Sequence, residues 1–386
     1  MKWISRSDLE QRILASTKTY PVTLLLGPRQ CGKTSIARRI AEKTNGAWFD
    51  LEDPECPLRP ESAKTILKDR KGLVIIDEVQ RQPTLFNLLR VLSDIRPLPV
   101  RFLLLGSAAP SMIKTISESL AGRISYIEMG GFSLIEAGAS KWNRLWSRGG
   151  FPDSFLAASD EKSHRWRMNF IQSFLERDIP QLGIRVPATA LRRFWTMLAH
   201  FHGQIWNAAD LARAMNVKED TSRHYLDILC GALLMRQLPP WFENTGKRVV
   251  KSPKVYFRDT GILHSLLGLR SPAEVMGHPR YGFSWEGFAL EEVLRASHAE
   301  KEAFFYRTHA GAELDLFILR GGLRYGFEFK FEDAPGMTRS MHTAIEDLSL
   351  DKLWIINNGD KSYALSNKIE ILPLKNIRNA AKIMGS

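Results

Sequence analysis

Two glycines, a lysine and a hydroxyl residue stand at the spacing Gly27-x4-Gly32-Lys33-Thr34. That pattern suits phosphate: the glycines let backbone N–H groups close around phosphate oxygens, and a helix starting there adds the positive end of its dipole. Lys33 would reach the β- and γ-phosphates of ATP, the Thr34 hydroxyl would ligate Mg2+, and Ser35 counts with them as a nucleotide-binding residue. Asp77 and Glu78 close the apolar run "LVII". One carboxylate there can hold magnesium through water while the other polarises the attacking water. Ser107 ends another apolar run, "VRFLLLGS", where a hydroxyl can sense the γ-phosphate. Arg123 in "SLAGRIS" and Arg177 in "FLERDIP" can reach a transition state in a neighbouring subunit, although a surface salt bridge accounts for either about as well.

A second set of charged groups lies in "GAELDLFILRGGLRYGFEFKF". With a two-residue turn at Gly321-Gly322, Arg320 faces Leu323, Asp315 faces Glu328 and Glu313 faces Lys330. Period-two alternation gathers Glu313, Asp315, Glu328 and Lys330 on one face and sends Phe327, Phe329 and Phe331 to the other. Opposed carboxylates destabilise a sheet, and a divalent cation between Asp315 and Glu328 would relieve them, with Lys330 alongside to orient a water. Upstream, in "WEGFALEEVLRA", a turn of about 100° per residue puts Glu286 in the middle of the apolar face and leaves Glu291 and Arg295 on the polar side. A lone carboxylate on a buried face needs a partner. Glu286, Asp315 and Glu328 are therefore the expected metal ligands of a PD-(D/E)xK nuclease-like fold, with Lys330 as its lysine. The plainer alternative is a half-buried hairpin with a solvated charged face.

These groups need elements to hold them. "TLLLGPRQCGKTSIARRIAEK" reads as strand, loop and amphipathic helix, and the four apolar residues before Asp77 suit a strand buried on both faces of a parallel sheet. Residues 160–260 carry 16 Lys+Arg against 10 Asp+Glu, so the middle of the chain holds a large share of the excess positive charge. Inside it, "NAADLARAMNVKEDTSRHYLDILCGALLMRQL" predicts a helix from Ala208 to Met215, a turn at Asn216-Val217, a helix with Tyr225, Leu226 and Leu229 inward, and a strand. "ENTGKRVVKSPKVYF" follows as the wing of a winged helix. Lys218, Ser222 and Arg223 would face a DNA groove, while Lys247, Arg248 and Lys251 would touch phosphates. A winged helix that only packs between domains is the alternative.

At 386 residues the chain is long enough for two or three domains. With 54 Lys+Arg against 42 Asp+Glu its net charge is +12, which leans toward a polyanionic partner, nucleic acid before membrane. Three cysteines (Cys31, Cys56, Cys230) without CxxC spacing indicate neither a disulfide framework nor a zinc knot. The polar start "MKWISRSDLEQRIL" lacks the apolar core of a signal peptide, and no apolar run approaches the ~18 residues of a membrane span. A cytoplasmic protein with no membrane partner is expected.

With these pieces placed, the chain resembles a widespread prokaryotic family of AAA+ ATPases that join an N-terminal ATPase to a C-terminal domain of unknown function. The likeness rests on "GPRQCGKT", "IIDEVQ", "SLAGRI", "GGFPDSFL", "LERDIPQLG", "KVYFRDTGILHSLLG", "WEGFALEEVL" and "ELDLF…FEFK", in order over nearly the full length. It implies an α/β protein: an AAA+ P-loop ATPase core at 1–130, a helical lid at 131–185, a winged helix at 186–260 and a restriction-endonuclease-like domain at 261–386. It also implies Lys33, Thr34, Asp77 and Glu78 as ATP-site residues. One departure is "GSAAP", where relatives more often carry further hydroxyl residues after Gly-Ser. This ATPase class places active sites between neighbours, so a homo-oligomeric, hexameric ring is expected. The leading expectation is an ATP-driven motor on DNA, with forks or Holliday junctions as substrate and DNA repair as its setting. An ATP-regulated endonuclease and a nucleotide switch acting on protein partners are the alternatives.

Overall fold

The computed structural model describes residues 3–107, 115–116, 118–242 and 249–385. They divide into two compact units, Met1–Gly131 with Gly231–Leu233, and Phe132–Cys230 with Leu234–Ser386. Among the described residues no helix is long and apolar enough to cross a membrane.

The first unit is built on β1 (Val22–Gly27), β2 (Ala47–Asp50), β3 (Gly72–Asp77), β4 (Val100–Ser107) and β5 (Ile124–Glu128). Their order is β2-β3-β4-β1-β5, and every pairing is parallel. Parallel neighbours need crossovers, supplied here by helices such as Lys33–Thr44 and Leu85–Ser93. All six positions of β1 are buried, as its unbroken apolar sequence requires. Because β4 lies between β1 and β3, the strand ends carrying Gly27, Ser107 and Asp77 come side by side, with Gly27 in register with Ser107. Strand ends where the order reverses are where such sheets bind ligands.

In the second unit, the helix Ala188–Ala199 leads to β6 (Gln204–Ile205), the helices Ala208–Met215 and Glu219–Gly231, and then β7 (Met235–Leu238) and β8 (Lys254–Phe257). The strands form an antiparallel sheet in the order β6-β8-β7. The Asn207 side chain accepts from Ala209 N to start the first short helix, and Asn216, at φ 56°, ends it.

The same unit holds β9 (Ala303–Arg307), β10 (Glu313–Arg320), β11 (Leu323–Phe329), β12 (Lys352–Asn357), β13 (Tyr363–Ala364) and β14 (Ile369–Pro373), ordered β13-β14-β12-β11-β10-β9. Gly321 and Gly322 both have positive φ, the requirement of the tightest hairpin turn, and the pairing runs from Arg320–Leu323 to Leu316–Phe327 as the sequence suggests. The parallel crossover from β11 to β12 runs through the helix Arg339–Asp347, whose Met341 and Ala344 bury against Leu314, Phe317, Leu353 and Ile355.

The helix Tyr281–Ser297 corrects one expectation. It has no solvated face at Glu291: it is buried continuously from Ser284 to Leu294, with Arg295 half-buried just beyond. A helix packed on all sides keeps its charges by pairing them. Arg236 and Arg258 flank Glu291, and although burial alone would raise its carboxyl, the two guanidinium groups hold it down at about 2. Glu292 accepts from Leu134 N at 2.7 Å, and burial pushes it up to about 7.

Two of the quoted motifs interlock. In "KVYFRDTGILHSLLG", the Asp259 carboxylate accepts from Gly150 N (2.7 Å) and Ile262 N (3.0 Å), tying itself to "GGFPDSFL". Thr260 Oγ1 donates to Trp146 O, and a Cβ on Gly261 would lie 2.1 Å from Arg148 O, so only glycine fits this approach.

Candidate nucleotide site and a carboxylate–lysine centre

The loop between β1 and the Lys33–Thr44 helix is shaped for close approach. A Cβ on Gly27 would sit 2.3 Å from Met129 O and 2.9 Å from Cys31 Sγ, and Gly32, at φ 99°, begins the helix with no side chain capping its first N–H groups. The buried Lys33 ammonium turns back onto Gly27 O and Pro28 O, both at 2.9 Å. Thr34 Oγ1 donates to Asp77 Oδ2 at 2.8 Å, joining loop to strand end, while Ser35 is exposed one residue further along the helix. Burial raises the Asp77 carboxyl above its ordinary value; the Thr34 bond offsets part of this and the charge of Glu78 adds to it. Glu78 sits at a left-handed φ of 53° and accepts a hydrogen bond from Gln80 Nε2, a partner that sequence reasoning missed. Ser107 Oγ is buried with no hydrogen-bond partner among the described residues.

The remaining predicted residues fall differently. Arg123 makes a two-point ion pair with Asp94 on the surface (2.7 and 3.0 Å), and the exposed Arg177, in the second unit, pairs with Asp178. Lys218, Arg223 and Lys251 are exposed, with Arg223 paired to Glu219. Lys247 and Arg248 lie outside the described residues. Ser222 cannot face a groove, because it is fully buried. It lies three and four residues before Tyr225 and Leu226, on the inward stripe of the Glu219–Gly231 helix.

At the hairpin, Glu286, Glu313, Asp315, Glu328 and Lys330 do converge, lining a cleft of about 780 Å³. At their centre stands a residue that the sequence reading assigned to a strand and nothing more. Lys254 of β8 is buried, and its Nζ lies 2.6 Å from Glu313 Oε1, 3.2 Å from Glu286 Oε1 and 3.7 Å from Asp315 Oδ1. Burial would lower its pKa, but Glu286 and the neighbouring acids reverse that and hold it well above the ordinary value. Tyr256, two residues on and so on the same face, donates to the same Glu286 oxygen at 2.6 Å. Phe329 N donates to Asp315 Oδ2 at 3.1 Å, and Lys330 Nζ lies 3.3 Å from Glu328 Oε2. Burial, opposed in part by Lys254, brings Glu286 to about 7. The carboxylates expected to hold a metal, Glu286, Asp315 and Glu328, thus share their cleft with a buried ammonium.

Residues 19–137 match the AAA domain family, 139–273 a domain of unknown function (DUF8612) and 281–377 another (DUF4143). The uncharacterised proteins Rv2008c of Mycobacterium tuberculosis (strain ATCC 25618 / H37Rv) and Mb2031c of Mycobacterium bovis (strain ATCC BAA-935 / AF2122/97) are each 45% identical over 380 residues, covering 98% of this chain and 86% of theirs. The chain belongs to their family. The chain thus joins an AAA-type ATPase domain to a C-terminal DUF4143 domain, and the first unit is that ATPase domain. Among solved structures, the Walker-type ATPase PABY2304 of Pyrococcus abyssi aligns at TM-score 0.45 and 14% identity over 69% of this chain and 96% of its own. The RuvB Holliday junction branch migration motor of Thermotoga maritima aligns at TM-score 0.33 and 18% identity over 61% and 90%.

Proposed function

We propose that this protein is an ATP-hydrolysing motor that remodels DNA, working as a hexameric ring on branched substrates such as forks or four-way junctions. The observation that carries the reading is the meeting of Lys33, Thr34, Asp77, Glu78 and Ser107 at one edge of the parallel sheet. These residues fit a magnesium nucleotide. Among the described residues, Lys33 is held by loop carbonyls that a phosphate can replace, and the Ser107 hydroxyl has no partner and could donate to a phosphate oxygen. Thr34 and Asp77 would hold magnesium, which when bound offsets charge on the β- and γ-phosphates. Glu78 would orient the attacking water and take its proton once Gln80 releases its carboxylate. Arg123 is the arginine of the ATPase domain offered to a neighbouring subunit, since its surface pair with Asp94 is one a phosphate can displace; Arg177 is offered from the second unit.

The DNA side rests on architecture and charge. Helix, strand, two helices and a β7–β8 pair support the winged-helix reading, with Lys218, Arg223 and Lys251 exposed for phosphate contacts. The β9–β12 unit with its two flanking helices supports a restriction-endonuclease-like fold, of a kind that can read DNA shape. The test is the rate of ATP turnover without DNA and with single strands, duplex or a four-way junction, with Glu78→Gln as the inactive control. Greatest stimulation by the junction is expected. A rate indifferent to every DNA would refute the motor reading.

A further inference from the structure

A nuclease of the PD-(D/E)xK kind would hold a divalent cation among Glu286, Asp315 and Glu328. We propose that the Lys254 ammonium takes that cation's place in this protein, so that the C-terminal centre is complete without metal and does not cut phosphodiester bonds. The inference does not rest on the DNA-motor reading, because it concerns this centre alone.

The geometry sets an ammonium, rather than a metal, among these carboxylates. Lys254 Nζ lies between Glu286, Glu313 and Asp315, and its side chain is only 3% exposed. Its backbone is anchored in a strand buried at all four positions and paired on both edges, and its ammonium is held by the surrounding carboxylates. One oxygen each of Glu286 and Glu328, and both of Asp315 and Glu313, are already engaged. Glu286 Oε1 accepts from both Tyr256 and Lys254. Asp315 faces Lys254 with one oxygen and accepts from Phe329 N with the other. Glu313 divides its two between Lys254 and Arg307, and Glu328 faces Lys330. Buried charges are tolerated when paired and hydrogen-bonded, which this network achieves with protein groups alone. A divalent ion would have to enter beside a trapped positive charge and strip these partners.

The proposal makes Lys254 the barrier to metal, so removing it should open a site. Bound Mn2+ is counted on the full-length chain by the loss of its free-ion spin-resonance signal, for wild type, Asp315→Asn, Lys254→Met and the double variant. Any ion held near Asp77 appears equally in all four. Wild type and Asp315→Asn should bind the same number, Lys254→Met should bind one more, and the double variant should lose it again. An ion bound by wild type and lost in Asp315→Asn would overturn the proposal, as would a folded Lys254→Met that gains none. Should Lys254→Met fail to fold by circular dichroism, the wild-type and Asp315→Asn pair decides alone. Mn2+-dependent nicking of supercoiled DNA that disappears in Asp315→Asn would equally overturn it.

Discussion

Asp259 offers a sharp separation of structure from chemistry. Its carboxylate satisfies two buried backbone N–H groups, Gly150 at 2.7 Å and Ile262 at 3.0 Å, each by a different oxygen. Asp259→Ala strands both donors. A stranded buried donor costs ~1–3 kcal/mol, and some of the loss is returned because burial already raises the Asp259 carboxyl above its ordinary value. The expected destabilisation is therefore about 3 kcal/mol. Asp259→Asn keeps one acceptor and turns an NH2 toward the other donor, so it should lie near half that value. Urea unfolding followed by tryptophan fluorescence is the natural assay, since eight of the ten tryptophans lie in the second unit with Asp259. Turnover of ATP per folded molecule should be unchanged, because Lys33 and Asp77 belong to the other unit. Unaltered stability with lost turnover would refute the reasoning and make Asp259 a functional group.

Other perturbations address the nucleotide site and the core. Gly27→Ala places a methyl 2.3 Å from Met129 O; overpacking of this kind costs ~1–3 kcal/mol, so nucleotide affinity measured by calorimetry should fall tenfold or more, and a wild-type affinity would contradict the close approach. Glu78→Gln should retain nucleotide binding while slowing turnover by about 10²–10⁴-fold; an equal loss of binding would place Glu78 elsewhere in the cycle. His264 is buried between Ser147 O and Ser284 Oγ, and burial lowers its pKa from 6.5 to about 3. Its contribution is present above pH 6.5 and is lost as pH falls toward 3. The stability gap between wild type and His264→Gln should thus narrow by about 2 kcal/mol from pH 7.5 to pH 5, and a gap independent of pH would mean that the ring takes up its proton as readily folded as unfolded.

Where a signal is local, the sequence carries it. The phosphate loop declares its strand, glycines, lysine and helix within one stretch, and Gly321-Gly322 alone sets the hairpin register down to Leu316–Phe327. Misreadings arise where a residue's type is taken for its position. Ser222 is polar, but its spacing from Tyr225, Leu226 and Leu229 already puts it on the inward stripe. Glu291 and Arg295 look like a solvated face because a helix wheel cannot know that Arg236 and Arg258 arrive from another element to pair with Glu291.

Lys254 is the instructive case, because its signal is divided between two distant stretches of the chain. In "KVYF", alternation puts Lys254 and Tyr256 on one face, and an apolar strand that buries a lysine must provide it with a counter-charge. In "WEGFALEEVL", Glu286 on an apolar face must find a cation or a donor. Each is costly alone, and each is the other's solution: the pair meets at 3.2 Å across 32 residues of sequence. Two such residues demand partners more strongly than any surface charge does. Matching them therefore constrains how β8 packs against the Tyr281–Ser297 helix. It also changes the chemistry expected of the centre, since a carboxylate already paired with a buried ammonium is not a vacant ligand for a metal ion.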